Sequence, residues 1–462
     1  MAAEREASQP GAAERIEAEL SRCVRCGTCM AICPVYEFMQ REGGVARGKL
    51  ALIRAQQQGA LADDALYRHF LTSCLLCNRC KSSCPNQVDT AAIVQAARAE
   101  LADRHRIGRI KQFVLRRLLP GRRAVPALLK GARASRPLWA ARVPGHSGLH
   151  IRFLRGPDGR RRRLPPIARP FFLQRDLPAP RPAADEERVV LFIGCVNNYL
   201  RPQAAAAAVE LLAGAGARVE VPRDQACCGM PAYSSGELAG ARRLAARNVD
   251  ALWPAGAAPP AAVTSPCATC AHMLKAHLPG LLAEDAERAE RARLLAERVV
   301  PLSRVWARFA GARSEGDGRR PAAGRVPITF HDPCHLSRGF GEKDAPRLLL
   351  TRLRDAYLVE MCHPCRCCGH GGSFNLAHYD LSTAMGEDKA RRALATGARA
   401  LVTECSGCVL QLAETVGRLD PAVEVMTTAE AALRFGLDER PLPPATAAGQ
   451  PGCVADKAGC GD

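Results

Sequence analysis

Two cysteine runs of one design fall within the first hundred residues and limit what this chain can fold into. The first is Cys23-x2-Cys26-x2-Cys29-x3-Cys33-Pro34, and the second is Cys74-x2-Cys77-x2-Cys80-x3-Cys84-Pro85. Thiolate sulfur is a soft ligand, and three thiols on one tight loop can grip one iron–sulfide cube. Where two such runs occur together, the fourth cysteine of each serves the other cluster. The spacing therefore assigns Cys23, Cys26, Cys29 and Cys84 to one cubane [4Fe–4S] cluster. It assigns Cys74, Cys77, Cys80 and Cys33 to a second. Zinc is the competing metal. It is satisfied by Cys-x2-Cys pairs and leaves a third cysteine at the same short spacing, twice, unexplained. Each proline is expected to turn the chain out of helix after the fourth cysteine.

Cysteine is abundant throughout, 22 of 462 residues. A disulfide scaffold is normally a short secreted chain, whereas this one is long enough for about three domains. The opening stretch, MAAEREASQPGAAERIEAEL, is charged and lacks a secretory apolar core. No run of about 18 apolar residues is present, so no helix is expected to span a bilayer. Reduced, metal-bound cysteines in the cytoplasm are the expectation.

The net charge of +19 is concentrated in one place: residues 104–175 hold 20 Lys or Arg and a single acid, Asp158. The rest of the chain is balanced. That basic segment is interrupted by Pro120, Pro126, Pro137, Pro144, Pro165 and Pro166, which argues against long helices. It mixes arginine with Leu, Val, Phe and Trp, a composition suited to an anionic membrane surface or an acidic partner subunit. A solvated linker is the plainer reading. No nucleic-acid reader motif accompanies it, so nucleic acid is not expected as a partner.

Beyond residue 185 the texture changes to alternating strands and helices. RVVLFIGC, RVEVP and AAVTSP read as strands, as do ITFHDPC, AYLVEM and ALVTEC. RPQAAAAAVELLAGAGA, ELAGARRLAARNVDALW and DLSTAMGEDKARRALATGA read as helices. The cysteines repeat as well. Cys195, Cys227-Cys228-Gly229, Cys267 and Cys270 recur as Cys334, Cys367-Cys368-Gly369, Cys405 and Cys408 after an offset of about 140 residues. This is an internal duplication. Each half is expected to form a parallel α/β sheet, with Cys195, Cys334 and Cys405 at strand C-terminal ends and Cys267 just past one. The glycine after each cysteine pair suggests backbone lying close against a cluster.

The fold class that follows is α+β and multidomain. Residues 1–102 form a helical two-cluster ferredoxin-type domain and 103–185 a basic connector. Residues 186–310 and 325–440 form two duplicated Cys-Cys-Gly domains with parallel sheets, and 441–462 a flexible tail. Residues 311–324 read as the linker between the halves.

Over residues 20–435 the chain resembles the Cys-Cys-Gly-domain iron–sulfur proteins. These include the catalytic subunit of heterodisulfide reductase and the iron–sulfur subunits of glycolate oxidase and of anaerobic glycerol-3-phosphate dehydrogenase. Lactate-utilisation iron–sulfur proteins resemble its second part. The matching stretches include GCVNNYLRPQ, ACCGMPAYSSGE, HDPCHL, CCGHGGSFNL and VTECSGC. Val45-Ala46-Arg47-Gly48-Lys49 resembles a Pro-Arg-Gly-Arg/Lys stretch of the glycolate branch, with Ala46 in place of proline. The resemblance implies up to two further, noncubane [4Fe–4S] clusters. One would be held by Cys195, Cys227, Cys228, Cys267 and Cys270, and the other by Cys334, Cys367, Cys368, Cys405 and Cys408. Glycolate-type relatives lack some of these cysteines, so the complete sets lean away from a strict glycolate assignment. A degenerate or different metal site in one half is the competing reading.

The remaining candidates are weaker. Cys362 and Cys365 have no counterpart in the first half; they could swap in as ligands, but the plainer reading is spare thiols. Cys453 and Cys460 read as free or as a removable pair. His331, His335, His363 and His370 flank the second cysteine set; the plain reading is loop and surface histidines, the functional one a proton donor. There is no GxGxxG after a strand, so no flavin or NAD is expected on this chain. The resemblance implies an electron-transfer subunit fed by an FAD-linked dehydrogenase subunit acting on a 2-hydroxy acid (glycolate or lactate) or glycerol 3-phosphate. Electrons would pass toward quinone or a membrane cytochrome, with peripheral contact on the inner face of the cytoplasmic membrane through residues 104–175. The alternative is a heterodisulfide-reductase-like catalyst cleaving a disulfide, and a zinc-bearing scaffold is the non-redox reading.

Overall fold

The computed structural model describes residues 12–105, 108–121, 124–142, 149–155, 161–176, 188–311 and 324–438. Cys453, Cys460 and most of the expected interdomain linker lie outside them.

The first part is helical. Ala46–Gln57 buries Ala46, Lys49, Leu50 and Ile53, the spacing of one helix face. That face packs with Ile16, Leu20, Leu71, Ile93, Val94 and Ala97. The Asp64 carboxylate caps Ala65–Thr72, accepting from the Tyr67 N–H at 2.7 Å. At Gly48 a Cβ would lie 1.9 Å from the Glu42 carbonyl oxygen, so only glycine lets this helix meet the preceding turn.

Of the two prolines, Pro34 departs from expectation and Pro85 meets it. Pro34 is the first residue of the helix Pro34–Met39, with Cys33 as its N-cap. A first-turn proline lacks only an N–H that has no helical partner anyway, so it starts a helix rather than ending one. Pro85 lies in a turn.

The basic connector is more ordered than its prolines suggest. Ala124–Ala134 is a helix. Strands β1 (Ala140–Arg142), β2 (Leu149–Arg155) and β3 (Arg161–Leu164) form an antiparallel sheet in the order β1-β2-β3. Neither alternation nor a turn motif marked it.

The duplicated halves are parallel α/β units, as expected. In the first, β4 (Arg188–Leu191) lies between β5 (Arg218–Glu220) and β6 (Ala262–Thr264). In the second, β7 (Val326–His331) lies between β8 (Ala356–Leu358) and β9 (Ala400–Thr403), and β10 (Glu424–Thr427) extends the sheet beyond β9. All pairings in both sheets are parallel. The halves are not separately packed: one hydrophobic cluster runs from Val189 and Leu244 in the first to Phe330, Leu412 and Phe435 in the second. The Arg201–Glu430 ion pair, at 2.8 Å, also joins them.

Candidate metal centres

In the first run, Arg25 (φ 58°) and Gly27 (φ 85°) are left-handed; in the second, Leu76 (φ 51°) and Asn78 (φ 58°) repeat this. Left-handed residues on both sides of the middle cysteine coil the loop so that its thiols face one point. Cys23, Cys26, Cys29 and Cys84 line one cavity together with Arg47 and Leu50, and Cys80 also reaches it. Cys26 is exposed, and the Thr28 hydroxyl at 3.3 Å from its sulfur helps to lower its pKa.

Cys33 lies away from its own run. It is in electrostatic contact with Cys74 and Cys77, and burial pushes its pKa up to about 11. Cys80 is likewise raised by burial, beside Cys77, Cys74 and Cys33. Two cations that sequence reading did not single out as functional lie against this group. Lys49 is 2% exposed, faces the charges of Cys74, Cys33 and Cys80, and donates to the Gly44 carbonyl. Arg98 is buried beside Cys74 and donates to the carbonyls of Leu71, Cys74 and Ser234, all between 2.6 and 3.1 Å. Lys49 stood in a quoted motif, whereas Arg98 stood in an ordinary helix with nothing to mark it.

In the duplicated halves, the cysteines expected at strand ends sit one step later. Cys195 lies in the first turn of Gly194–Tyr199, and Cys334 opens Cys334–Ser337. Cys267 and Cys405 are the N-caps of the helices that begin at Ala268 and Ser406. The strand ends short because the chain must bend into the helix, and the thiol then sits at the positive end of the helix dipole. Gly229 (φ 93°) and Gly369 (φ 83°) are both left-handed. A Cβ on Gly369 would lie 2.5 Å from the Ser382 carbonyl oxygen. A left-handed backbone favours glycine at both positions, and at Gly369 the neighbouring helix also leaves no room for a side chain.

In each half the five cysteines interact with one another in a continuous series. Cys195 contacts Cys227, and Cys228 contacts both Cys227 and Cys270. Cys368 and Cys408 are 3.3 Å apart, sulfur to sulfur. Burial raises the Cys334 pKa to about 12. The halves also meet each other: the Cys267 and Cys405 sulfurs are 3.9 Å apart, and the Thr269 hydroxyl is 3.2 Å from the Cys405 sulfur. On its other side the second half meets the ferredoxin-type part. Cys33, Cys77 and Cys367 pack on one cluster of Val35, Leu75, Phe374 and Met385.

Several flanking residues depart from expectation. His331 is 1% exposed and not a surface residue. His335 is half-buried, bonded to the Thr269 hydroxyl at 2.9 Å and stacked on His272. Cys365 is buried and disulfide-bonded rather than spare, and Cys362 is exposed. The thiol groups fit iron–sulfur clusters chemically. They are soft donors crowded sulfur to sulfur in a buried setting, where thiolate charge needs a cation beside it. Among the described residues, no helix is long and apolar enough to cross a membrane.

Residues 189–275 and 328–413 each match the family described as cysteine-rich domain (CCG), and residues 19–88 match the 4Fe-4S dicluster domain. The chain is 28% identical over 404 residues to the probable glycolate oxidase iron-sulfur subunit of Bacillus subtilis (strain 168), covering 86% of this chain and 89% of that one. It is 30% identical over 243 residues to lactate utilization protein A of the same organism, covering 53% of this chain and 98% of the relative. The Geobacillus thermodenitrificans (strain NG80-2) lactate utilization protein A gives 30% identity, covering 53% of this chain and 97% of the relative.

Proposed function

Because the chain belongs to the cysteine-rich-domain (CCG) iron–sulfur proteins and is an iron–sulfur subunit of an oxidoreductase, we propose that it passes electrons from an FAD-linked dehydrogenase subunit toward quinone or a membrane cytochrome. The substrate oxidised on the partner is a 2-hydroxy acid, glycolate or lactate, and glycerol 3-phosphate is the nearest alternative. When bound, the clusters supply one-electron chemistry, and the protein supplies spacing, charge and dryness.

We assign Cys23, Cys26, Cys29 and Cys84 to one cubane and Cys74, Cys77, Cys80 and Cys33 to the other. The two five-cysteine sets would each hold a noncubane cluster. What carries the reading is the file these thiols make. The Cys23–Cys84 group opens to solvent at Cys26. Next comes the group of Cys33 and Cys77, which shares its apolar wall with Cys367. Cys405 of the second half then touches Cys267 of the first. Lys49 and Arg98 hold positive charge against the middle of the file, which favours the reduced state there.

Peripheral membrane contact fits the basic connector. Ile110, Phe113, Leu128 and Leu138 are exposed among its arginines. The cytoplasmic side is proposed on the same ground, since anionic lipid attracts such segments.

The test is anaerobic mixing of the iron-loaded chain with a purified FAD-linked glycolate or lactate dehydrogenase subunit and its substrate. Bleaching of the visible cluster absorbance is expected, and Cys77→Ser should stop the duplicated halves from being reduced. A second reading, disulfide cleavage, is favoured by the completeness of both five-cysteine sets. Reduced chain that is reoxidised by a disulfide without any partner, and is not reduced by the flavoprotein, would overturn the first reading in favour of the second.

A further inference from the structure

The duplication is not symmetric at its metal centres. β4 and β7 correspond through their pairing, since Val189 stands opposite Ala262 as Ile328 stands opposite Ala400. Three residues on from Val189 and Ile328 come Phe192 and His331, and three further on Cys195 and Cys334. The same position, on the same side of the same cysteine set, is therefore phenylalanine in one half and histidine in the other. Both are buried, Phe192 at 0% and His331 at 1% exposure.

The two rings face equivalent sulfurs. The Phe192 ring lies beside the Gly194 position that the Cys270 sulfur also crowds. In the second half a ring nitrogen of His331, the Cys368 sulfur and the Cys408 sulfur all lie within 4.8 Å of one another. The His331 Nδ1 is 3.2 Å from the Pro364 carbonyl oxygen. A carbonyl only accepts, so Nδ1 carries the proton and donates. In the neutral ring that leaves Nε2 as a lone pair, buried, with the Cys368 thiol as its interacting neighbour. A thiol is a weak donor and satisfies such a buried acceptor poorly. The Pro364 carbonyl is itself held, accepting from the Lys389 ammonium at 2.7 Å and from the Asp332 N–H at 3.1 Å. A histidine whose one nitrogen is pinned to a fixed carbonyl, and whose other nitrogen points among thiols, has the arrangement of a metal ligand with its outer support.

We propose that His331 Nε2 is a nitrogen ligand to an iron of the second-half cluster, which makes that centre a mixed sulfur–nitrogen site while the first-half centre is sulfur only. This rests on reading the second half as a cluster site. Neutral imidazole carries less negative charge to iron than thiolate does, so the reduced state is favoured. The second-half cluster is thereby set to a higher potential than the first, and electrons entering through Cys77 and Cys367 are held there before reaching Cys267.

The test uses the full iron-loaded chain with 15N-labelled histidine. Pulsed electron paramagnetic resonance on the reduced protein should find one strongly coupled histidine nitrogen. His331→Phe, which copies the residue the fold already accommodates in the first half, should lose that coupling and lower the potential of one cluster, with iron content retained. His331→Cys should also lose the coupling and keep the cluster. Reduced, iron-replete wild-type protein without a strongly coupled histidine nitrogen would overturn the assignment, as would zinc in place of iron at Cys368 and Cys408. Reduction by the flavoprotein stands or falls independently of either result.

Discussion

The Cys267 and Cys405 sulfurs, 138 residues apart in the chain, lie 3.9 Å from each other in the fold. Each caps the helix that follows its strand, so the two halves bring together their cysteine sets, the proposed metal centres, at the positive ends of two helices. The two centres are therefore expected to influence each other.

Thr269 belongs to the first half, yet its hydroxyl lies 3.2 Å from the Cys405 sulfur. Hydrogen bonds to cluster sulfur raise the potential. Thr269→Val keeps the shape and removes the hydroxyl. The expected outcome in a redox titration is a lower midpoint for the second-half cluster at unchanged iron content. An unmoved midpoint would mean the hydroxyl serves only His335.

Lys49 is a buried cation facing Cys74, Cys33 and Cys80. Reduction adds negative charge, which this ammonium stabilises. Lys49→Met should lower the midpoint of the cubane beside it and leave the other cubane in place, as followed by spectroelectrochemistry.

The same variant tests the crossed ligand assignment. Cys33→Ser should alter the cluster that responds to Lys49, and Cys84→Ser should alter the other cubane. If Cys84→Ser disturbs the Lys49-sensitive cluster instead, each run binds its own fourth cysteine.

Arg98 ties Leu71 and Cys74 of the ferredoxin-type part to Ser234 of the first half. Arg98→Met leaves those buried carbonyls without this donor. A loss of about 3 kcal/mol or more in denaturant unfolding is expected, from about 1–3 kcal/mol per unsatisfied group. Earlier proteolytic cleavage between the two parts should accompany it. Wild-type stability in this variant would show that water replaces the guanidinium freely.

Ile110 is 83% exposed and Leu128 is 55% exposed, both within the basic connector. Ile110→Glu combined with Leu128→Glu should reduce cosedimentation with anionic phospholipid vesicles. Binding of the unaltered chain should weaken as salt is raised. Equal binding by both proteins would locate the contact elsewhere.

Much of this protein is legible along the chain. Cys23 to Cys33 and Cys74 to Cys84 are local patterns, and a loop that must wrap one cube shows its design in its spacing. The duplication is legible too, because both copies reuse the same strand–cysteine–helix step near Cys195 and Cys334. Their parallel sheets follow from the alternation of short apolar strands with helices. The strand ends were read a few residues long, since the apolar run continues through Phe192 and Ile193 after β4 has ended at Leu191. The antiparallel sheet of the connector escaped because its strands are rich in arginine.

What spacing along the chain leaves open is which far-apart residues become neighbours. Nothing near Arg98 in sequence says that it will hold Ser234, and nothing near Cys267 says that it will meet Cys405. The duplication aligns His331 with Phe192, three residues before Cys334 and Cys195, but only the packing sets a ring nitrogen of His331 beside the Cys368 and Cys408 sulfurs. Local spacing expresses the geometry of a single loop or helix. The charge, hydrogen bonding and dryness around each thiol come instead from side chains that only the packing of separate elements brings within a few ångströms.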